Sequence, residues 1–389
     1  MGERVKGLVV LGSTGSIGRQ TLEVVRALPD RFRVVGLAAG NNLSLLEEQV
    51  RQFRPRLVYA SRDGEQLYLR LREMGLPCRW AFPEEMAVAD DADLVMVATV
   101  GRAGLSPTLA ALRAGKVVAL ANKEVLVMAG HLVREAARQG GGELRPVDSE
   151  HSAIWQCLWG ERPEAVSRLV LTASGGPFRD TPLEDLARVT AAEALRHPTW
   201  QMGPKVTVDS ATLLNKGLEC IEARWFFDLP LERIEVVLHR ESIVHSLVEF
   251  RDGSLKAQLS VPDMRLPIQL ALTYPQRVEG VGVGRVDLAR LGALHFGPVD
   301  MRRYPCLSIA LEAGRRGGTY PVVLSAADEV AVQHFLAGHI GFLDIHRLLE
   351  DVLSAHRGSA LPTLDEVLEA DAWARERADE WVRARAGRP

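Results

Sequence analysis

The segment KGLVVLGSTGSIGRQTLEVVRAL, residues 6–28, decides the fold class of this chain. An apolar run at 7–11 is followed by Gly12, Gly15 and Gly18 and then by a helical pattern. Glycines between a buried strand and a helix allow a tight turn, and they expose backbone N–H groups at the helix N-terminus, where a phosphate can bind. The spacing G-x-x-G-x-x-G departs from the usual dinucleotide spacing G-x-G-x-x-G. Nucleotide binding is therefore predicted from the motif together with its strand and helix, and the alternative is an ordinary glycine-rich turn.

Outward from this segment, apolar strands and amphipathic helices alternate as far as residue 148, which is typical of a doubly wound parallel sheet. In residues 149–297, longer strands and proline-bearing loops predict an α+β domain that binds substrate. Residues 298–389 carry Ala, Leu, Glu and Arg at helical spacing. The expected fold class is therefore α/β, with a Rossmann-like N-terminal domain (1–148), a central α+β catalytic domain (149–297) and a C-terminal helical domain (298–389).

The composition of the 389-residue chain excludes several classes of protein. A hydrophobic content of 47% with 25% charged residues is that of a globular protein, and a net charge of -3 argues against a nucleic-acid partner. The four cysteines include no C-x-x-C pair, so neither a disulfide framework nor a thiolate zinc site is predicted. No apolar run reaches the length of about 18 residues that a membrane helix needs, and no cleavable signal is apparent. We expect a soluble, cytoplasmic protein.

The end of the second predicted strand indicates which nucleotide binds. It carries Gly40, Asn41 and Asn42, where an NAD-dependent enzyme usually has an acidic residue. An acid would repel the 2'-phosphate of NADP, whereas amides can donate hydrogen bonds to it, so the sequence favours NADP. Arg62, after the third predicted strand, is a candidate cation for the same phosphate. Asn42 is explained equally well as the cap of the following helix.

Asp148 and Glu150 are candidate metal ligands. They follow the run GGELRPV, and alternation along a strand would direct both carboxylates to the same side. Two like charges at one place repel unless a cation or a proton lies between them. Ligation by oxygen alone suits Mg²⁺ or Mn²⁺ better than zinc. The alternative is a solvated loop.

The segment 208–227 predicts a helix with two different faces. Its apolar face consists of Leu214, Leu218, Ile221 and Trp225. Asn215, Lys216 and Glu219 cluster on the other face, where they could hold a phosphate and supply a third metal ligand. The alternative is a solvated face with an ion pair between Lys216 and Glu219.

The same segment carries two further signals. Asp209 and Ser210 are suitable N-cap residues, which would leave free N–H groups for an anion. Gly217 costs about 1 kcal/mol in a helix interior, which indicates that another group approaches the backbone closely there.

Two further turns carry groups of the kind that bind phosphate or a cofactor, although neither motif is specific by itself. The run TASGGPF, 172–178, places the Ser174 hydroxyl and two glycine amides at the end of a strand. The run ALANKEVL, 119–126, places polar residues at the carboxyl edge of the parallel sheet, where ligands bind in open α/β folds. These residues are Asn122, Lys123 and Glu124.

The loop HPTWQMGP, residues 197–204, predicts a lid over the site. Two prolines and a glycine flank His197 and Trp200. A lone histidine is usually structural, but a tryptophan in such a loop can cover the apolar part of a ligand.

With these motifs in place, the chain resembles the 1-deoxy-D-xylulose 5-phosphate reductoisomerase family over nearly its whole length. The resemblance is carried, in order, by GSTGSIG (12–18), ANKE (121–124), PVDSEHSAIWQCL (146–158), SGGPF (174–178), HPTWQMG (197–203), VDSATLLNKGLE (208–219) and PDMRLPIQLAL (262–272). It implies an NADPH-dependent enzyme that converts 1-deoxy-D-xylulose 5-phosphate to 2-C-methyl-D-erythritol 4-phosphate, by metal-assisted rearrangement followed by hydride transfer. The resemblance places this reaction in isoprenoid precursor synthesis, and it implies a homodimer that uses Mg²⁺, Mn²⁺ or Co²⁺.

The resemblance also implies roles for individual residues. The implied metal ligands are Asp148, Glu150 and Glu219, which with Lys123 and His197 form the catalytic set. The implied substrate-binding residues are Lys123, Ser149, Glu150, Ser174, His197, Ser210, Asn215, Lys216 and Glu219, to which the predicted lid adds Trp200. The implied NADPH-binding residues are Thr14, Gly15, Ser16, Ile17, Gly40, Asn42, Asn122, Glu124 and Gly203, to which the position at the end of the second predicted strand adds Asn41. The chain departs from the family at Asn41, where many members carry a basic residue.

Two other functions remain open from the residues alone. A metal-free NADP-dependent dehydrogenase would need the glycine turn but not the three carboxylates. A non-catalytic NADP sensor would need neither the lid nor the phosphate-binding groups.

Overall fold

The computed structural model describes residues 4–76, 78–200 and 202–386 of the chain. These residues form two compact units. The first unit comprises the residues up to Val125, His131–Ser152 and Asp263–Gly284. The second comprises Leu126–Gly130, Ala153–Pro262 and the residues from Arg285 onward.

The first unit is built on a seven-stranded parallel sheet. Its strands are β1 (Lys6–Leu11), β2 (Phe32–Ala39), β3 (Leu57–Ala60), β4 (Arg79–Trp80), β5 (Leu94–Val97), β6 (Val117–Leu120) and β7 (Glu143–Pro146). They lie in the order β4-β3-β2-β1-β5-β6-β7, and every pair is parallel. The apolar side chains of β1 and β5 are at most 1% exposed, as expected for strands covered on both faces.

Helices connect these strands. They are α1 (Ser16–Ala27), α2 (Leu43–Phe53), α3 (Gly64–Glu73), α4 (Pro83–Ala87), α5 (Leu105–Arg113), α6 (Lys123–Gly140) and α7 (Ser149–Cys157), and a 3-10 helix covers Gly101–Gly104. Both α6, which is kinked at Ala129, and α7 contribute residues to both units. The strand order reverses at β1, whose neighbours are β2 and β5, and ligands of open parallel sheets bind beyond the carboxyl ends of the strands at such a point.

The second unit contains a five-stranded mixed sheet. Its strands are β8 (Val166–Ala173), β9 (Ile234–His239), β10 (Val244–Phe250), β11 (Leu255–Leu259) and β12 (Phe296–Gly297), in the order β11-β10-β8-β9-β12. The pair β8–β9 is parallel and the other pairs are antiparallel.

The helices that follow in the chain complete the structure. They are α8 (Ala191–Ala194), α9 (Pro204–Thr212), α10 (Leu214–Phe227), α11 (Arg265–Thr273), α12 (Leu288–Leu291), α13 (Pro305–Arg316), α14 (Tyr320–Leu336), α15 (Phe342–Ala355) and α16 (Leu364–Ala386). Short 3-10 helices cover Pro163–Ala165, Leu183–Arg188 and Leu231–Arg233. In the second unit, α14 packs against α13, α15 and α16, and α13 packs against α10. Within the ranges described, no helix is both long and apolar enough to span a membrane.

The α/β fold class is confirmed, with a parallel N-terminal sheet, a second sheet and a helical C-terminal region. The two units divide the chain differently from the three domains expected from the sequence. The helix α11, from the expected central domain, packs against α1, β6 and β7 of the first unit. The C-terminal helices belong to the same unit as the mixed sheet. Nothing in the sequence pattern predicts that the chain returns to the first unit at α11.

Candidate active site

The glycine turn after β1 is tight and packs closely against its neighbours. Gly12 has φ +88°, and a Cβ atom there would lie 2.3 Å from the Ala98 carbonyl oxygen. A Cβ atom on Gly18 would lie 2.2 Å from the Gly12 oxygen, so α1 packs directly on the turn. Gly15 is the N-cap of α1 and provides no side-chain hydrogen bond. The first N–H groups of α1 are therefore suited to bind an anion.

The end of β2 exposes the residues predicted to select the nucleotide. Gly40, Asn41 and Asn42 are all exposed. The Asn42 Oδ1 atom accepts a hydrogen bond from the Leu45 N–H at 3.2 Å, so Asn42 does cap α2. The Ser61 N–H donates to the Ala39 oxygen at 3.1 Å, which places the residue before Arg62 beside this strand end. The structure thus shows an exposed strand end without an acidic side chain at residues 40–42.

Asn122 links the ends of two neighbouring strands. It is the N-cap of α6, and its Oδ1 atom accepts from the Val125 N–H at 3.3 Å. Its amide group donates to Thr99 Oγ1 at 3.1 Å and to the Gly101 oxygen at 2.9 Å, beyond the end of β5. These bonds fix the start of α6, where Lys123 and Glu124 are each 8% exposed.

Asp148 and Glu150 converge, but for a different reason from the one predicted. The strand β7 ends at Pro146, and Ser149 and Glu150 begin the helix α7. Asp148 Oδ1 accepts from the Ser149 N–H at 2.9 Å, and Ser149 Oγ donates to Glu150 Oε2 at 2.6 Å. The prediction of alternation along a strand was therefore wrong, because a helical first turn brings the carboxylates together, with oxygens within 4.8 Å of each other. The Lys123 Nζ atom lies 2.7 Å from Asp148 Oδ2, and its positive charge offsets part of the repulsion between the Asp148 and Glu150 carboxylates.

His151 lies close to Asp148 and was not singled out from the sequence. It is fully buried, and one of its ring nitrogens lies within 4.8 Å of an Asp148 oxygen. The spacing of three residues between Asp148 and His151 is the available signal, since such residues share a face of a helical turn.

In the second unit, three predicted substrate-binding residues contact one another. His197 Nε2 lies 3.1 Å from Ser174 Oγ and 3.0 Å from Ser210 Oγ. Ser174 Oγ also accepts from the Gly176 N–H at 3.2 Å. The end of β8, the loop 197–204 and α9 thus bring two hydroxyls and an imidazole to one place.

The hydrogen bonds of His197 define its protonation state. Its Nδ1 atom accepts hydrogen bonds from the N–H groups of Thr199 at 3.2 Å and Trp200 at 2.9 Å. Because a backbone N–H group can only donate a hydrogen bond, Nδ1 must be the unprotonated nitrogen. The proton of the neutral ring is therefore on Nε2, where it can be donated to a serine oxygen. Burial, with a smaller effect from the charge of Arg179, lowers the pKa of His197 to about 4. The imidazole is neutral at pH 7.

The predicted lid loop makes further contacts within its unit. The Trp200 ring lies 5.8 Å from the ring of His245, and Thr199 Oγ1 lies 3.2 Å from Ser242 Oγ. Gln201, within the predicted lid, lies outside the described residues. Whether the loop moves on ligand binding stays a prediction.

The predicted N-cap at Asp209 and Ser210 was wrong. Pro204 begins α9, as proline often does in the first turn of a helix, so Asp209 and Ser210 lie in the helix interior. Asp209 is 1% exposed, and its Oδ2 atom lies 2.7 Å from Lys205 Nζ. The break between α9 and α10 is at Leu213, which has φ +55°.

The polar face of α10 is buried rather than solvated. Lys216 and Glu219 are 4% and 1% exposed, and they form an ion pair. The Asn215 amide donates to Glu219 Oε1. Gly217 permits close packing of α13, because a Cβ atom there would lie 2.3 Å from Ala310 Cβ. The alternative of a solvated face is excluded, and the close approach predicted at Gly217 is that of another helix.

Models of one enzyme family match most of the chain. The model for 1-deoxy-D-xylulose 5-phosphate reductoisomerase matches residues 8–130, and the model for the C-terminal domain of that enzyme matches residues 144–227. A third model, for the DXP reductoisomerase C-terminal domain, matches residues 259–377.

Relatives named 1-deoxy-D-xylulose 5-phosphate reductoisomerase are similar over nearly their full length. The protein from Pelotomaculum thermopropionicum is 54% identical over 378 residues, which is 95% of this chain and 97% of the relative. The protein from Thermomicrobium roseum is 55% identical over 378 residues, 97% of each chain.

Solved structures agree with these matches. A DOX-P reductoisomerase in complex with NADPH, fosmidomycin and magnesium has a TM-score of 0.93 and 39% identity, and the match covers 99% of this chain and 100% of that one. The 1-deoxy-D-xylulose 5-phosphate reductoisomerase from Zymomonas mobilis in complex with NADPH has a TM-score of 0.90 and 40% identity, covering 98% and 100% of the two chains.

Proposed function

The chain belongs to the 1-deoxy-D-xylulose 5-phosphate reductoisomerase family, and we propose that it converts 1-deoxy-D-xylulose 5-phosphate to 2-C-methyl-D-erythritol 4-phosphate with NADPH and a divalent metal. The observation that carries this function is the 54% sequence identity to a named 1-deoxy-D-xylulose 5-phosphate reductoisomerase over 95% of the chain. The product is a precursor in isoprenoid synthesis by the non-mevalonate route.

The first unit carries nine of the ten residues proposed to contact NADPH, and Gly203 is in the second unit. When bound, NADPH supplies the hydride for the reduction. The turn that begins at Gly12 would hold the pyrophosphate at the N-terminus of α1, where the first N–H groups of the helix are suited to bind an anion. Asn41 would face the 2'-phosphate. The residues proposed to contact NADPH are Thr14, Gly15, Ser16, Ile17, Gly40, Asn41, Asn42, Asn122, Glu124 and Gly203.

Three carboxylates are proposed to hold the metal: Asp148, Glu150 and Glu219. Their oxygen donors match the preference of Mg²⁺ and Mn²⁺, and Co²⁺ is a further candidate. When bound, the metal acts as a Lewis acid on the oxygens of the substrate. Lys123, 2.7 Å from Asp148, holds one carboxylate in place. The Ser149 hydroxyl donates to Glu150 at 2.6 Å and so orients the Glu150 carboxylate, and it can also turn to a substrate oxygen.

The phosphate of the substrate is proposed to bind in the second unit, to Ser174, Ser210, Asn215 and Lys216. Lys216 supplies the positive charge. Because the neutral His197 is the hydrogen-bond donor at Nε2, the hydroxyls of Ser174 and Ser210 need not donate to it, and each can donate a hydrogen bond to a phosphate oxygen. Binding of this remote group positions the reacting carbon atoms.

The loop 197–204 is proposed to close over the bound substrate and exclude water from the reacting carbons. Trp200 would cover the carbon chain of the ligand. His197 joins this loop to Ser174 and Ser210, so occupation of the phosphate site and closure of the loop are expected to occur together.

The oligomer is proposed to be a homodimer. The strand β11 is at the edge of the mixed sheet, where Leu255 and Leu259 are 57% and 37% exposed. An apolar edge strand is a surface that a second copy can cover. Light scattering after size-exclusion chromatography should therefore give twice the chain mass of 42.7 kDa. Because the four cysteines are free and buried, we also propose the reducing cytoplasm as the location.

The test of the function is NADPH oxidation measured with 1-deoxy-D-xylulose 5-phosphate, before and after EDTA treatment. We expect turnover that EDTA abolishes and that Mg²⁺ or Mn²⁺ restores. Turnover that survives chelation would indicate a metal-free dehydrogenase. Binding of NADPH without turnover at any metal concentration would indicate a nucleotide sensor.

A further inference from the structure

Tyr304 connects two segments that carry phosphate-binding groups, although nothing in the site described so far includes it. It precedes α13, is 1% exposed, and lies in a small apolar cluster with Ala173, Leu213 and Leu307. Its hydroxyl donates to the Gly175 carbonyl oxygen at 2.8 Å.

The first of these segments is the turn after β8. Ser174 follows Ala173 directly, and Gly175 and Gly176 have φ angles of +82° and +69°, which glycine adopts without strain. A Cβ atom on Gly176 would lie 2.6 Å from the Ser210 oxygen, so the turn packs against the backbone of α9.

The second segment is the break between α9 and α10. Leu213, in the left-handed conformation, separates Ser210 on α9 from Asn215 and Lys216 on α10. Since the ring of Tyr304 shares a cluster with Leu213, the same side chain packs at the break and bonds to the turn.

The planarity of the peptide bond makes the hydroxyl contact important. The Gly175 carbonyl and the Gly176 N–H belong to one planar trans peptide and point in opposite directions. The bond from Tyr304 fixes the carbonyl, so it also directs the Gly176 N–H to Ser174 Oγ, 3.2 Å away. Two consecutive glycines would otherwise allow this peptide to rotate, because neither has a Cβ atom that opposes it.

A second contact holds the same turn. Arg179 donates from its guanidinium to the Ser174 carbonyl oxygen at 2.9 Å. Burial raises the pKa of Tyr304 to about 12, so the hydroxyl remains a donor throughout the range of an enzyme assay.

We propose that Tyr304 is a positioning residue for the phosphate site, which fixes the Gly175–Gly176 peptide and thereby, through the Gly176 N–H that donates to Ser174 Oγ, holds the Ser174 hydroxyl in place for the phosphate. The proposal rests on the proposed function, because it concerns the phosphate of the same substrate. It adds a residue 129 positions from Gly175 to the determinants of substrate affinity.

The test compares Tyr304→Phe with Tyr320→Phe in the full-length protein. Tyr320 is the matched control, because its hydroxyl also donates to a backbone carbonyl, that of His356 at 3.1 Å. We expect Tyr304→Phe to raise the KM for the sugar phosphate and the Ki of inorganic phosphate by about tenfold, the size of one hydrogen bond. The kcat and the KM for NADPH should stay within about twofold of wild type, and Tyr320→Phe should change none of these values.

An unchanged Ki of phosphate in folded Tyr304→Phe would overturn the proposal. An equal rise in the Ki of phosphate and in the KM for NADPH would also overturn it, since a merely structural role of Tyr304 would affect both ligands alike. If Tyr304→Phe does not fold, Arg179→Lys replaces it, because it weakens the other contact that holds the same turn and so tests whether the position of this turn controls phosphate affinity. An unchanged Ki of phosphate in folded Arg179→Lys would then overturn the proposal.

Calorimetric titration of wild type and variant with inorganic phosphate separates this proposal from the function itself. A wild-type protein that binds phosphate but does not oxidise NADPH would contradict the proposed function. Weaker phosphate binding by Tyr304→Phe would support the role of Tyr304 even then.

Discussion

Two groups of polar residues in this chain differ in burial. Asn41 and Asn42, after β2, are exposed, whereas Lys216 and Glu219, within α10, are 4% and 1% exposed. Taking a charged pair out of water costs on the order of several kcal/mol per ion, and apolar side chains often stabilise such a place better. An exposed asparagine that caps a helix carries no such cost. The buried pair is therefore the stronger evidence for a binding site, and substitutions there should have the larger effects.

The largest effect is expected at Glu219. The change Glu219→Gln removes one negative charge from the proposed metal site and leaves the apolar stripe of α10 intact. We expect kcat to fall by more than about a hundredfold, because even residues that only support a metal ligand contribute up to about that factor. Binding of NADPH, measured by fluorescence titration, should be unchanged.

Glu222→Gln is the matched control for this substitution. Glu222 lies on the same helix and is fully buried. Glu222→Gln therefore tests whether neutralising any buried acid of α10 lowers kcat as much as Glu219→Gln does. Loss of turnover and of metal dependence in Glu222→Gln, with near-normal turnover in Glu219→Gln, would move the metal assignment to Glu222.

The next effect is expected at Lys216. Lys216→Met should lower kcat/KM for the sugar phosphate by about ten- to a hundredfold, the contribution of a charge-assisted hydrogen bond. The loss should be much smaller for a substrate analogue without phosphate. Lys256→Met, at an exposed lysine that pairs with Glu161, should change neither value. If both substrates are affected alike, Lys216 does not recognise phosphate.

The features that the sequence predicts well are those that depend on a short stretch of the chain. Glycine spacing and the apolar runs predicted β1, its turn and α1, because these depend on neighbours in the chain. The opposed faces of α10 followed from helical periodicity in the same way. Local patterns of this kind also singled out Asn122, Ser174 and Lys216 as candidate site residues.

Features that depend on distant parts of the chain had no such signal. The left-handed Leu213 is not a glycine, so no residue type indicates the break between α9 and α10. Burial of Lys216 follows from the packing of α10 in its unit, which periodicity alone does not predict. The bond from Tyr304 to Gly175 joins residues 129 positions apart. Asp148 and Glu150 were identified correctly as a converging pair, but a helical turn rather than a strand brings them together.

His197 is intermediate in burial, and its effect should appear in the pH dependence of stability. Its pKa is about 4 in the folded protein and about 6.5 when unfolded. As the pH falls from about 6.5 to 4, the unfolded chain binds this proton before the folded protein does, so stability decreases. In His197→Gln this decrease, measured as Tm at pH 7 and pH 5, should be smaller. His295→Gln, at a side chain that is 71% exposed, is the control. An equal decrease in wild type and His197→Gln would contradict the neutral state of the buried ring.

The smallest effect is expected at the exposed strand end. NADPH should be preferred over NADH, because no acidic side chain at residues 40–42 repels a 2'-phosphate. Asn41→Lys adds a cation there, but solvent screens an exposed charge pair to at most about 1 kcal/mol, so the preference should rise by about fivefold or less. Asn41→Gln controls for side-chain length without charge. The measurement is the ratio of kcat/KM for the two nucleotides. Equal use of both by the wild type would show that the missing acid does not select the nucleotide, while a rise far above fivefold would show that this strand end is shielded from solvent when the nucleotide is bound.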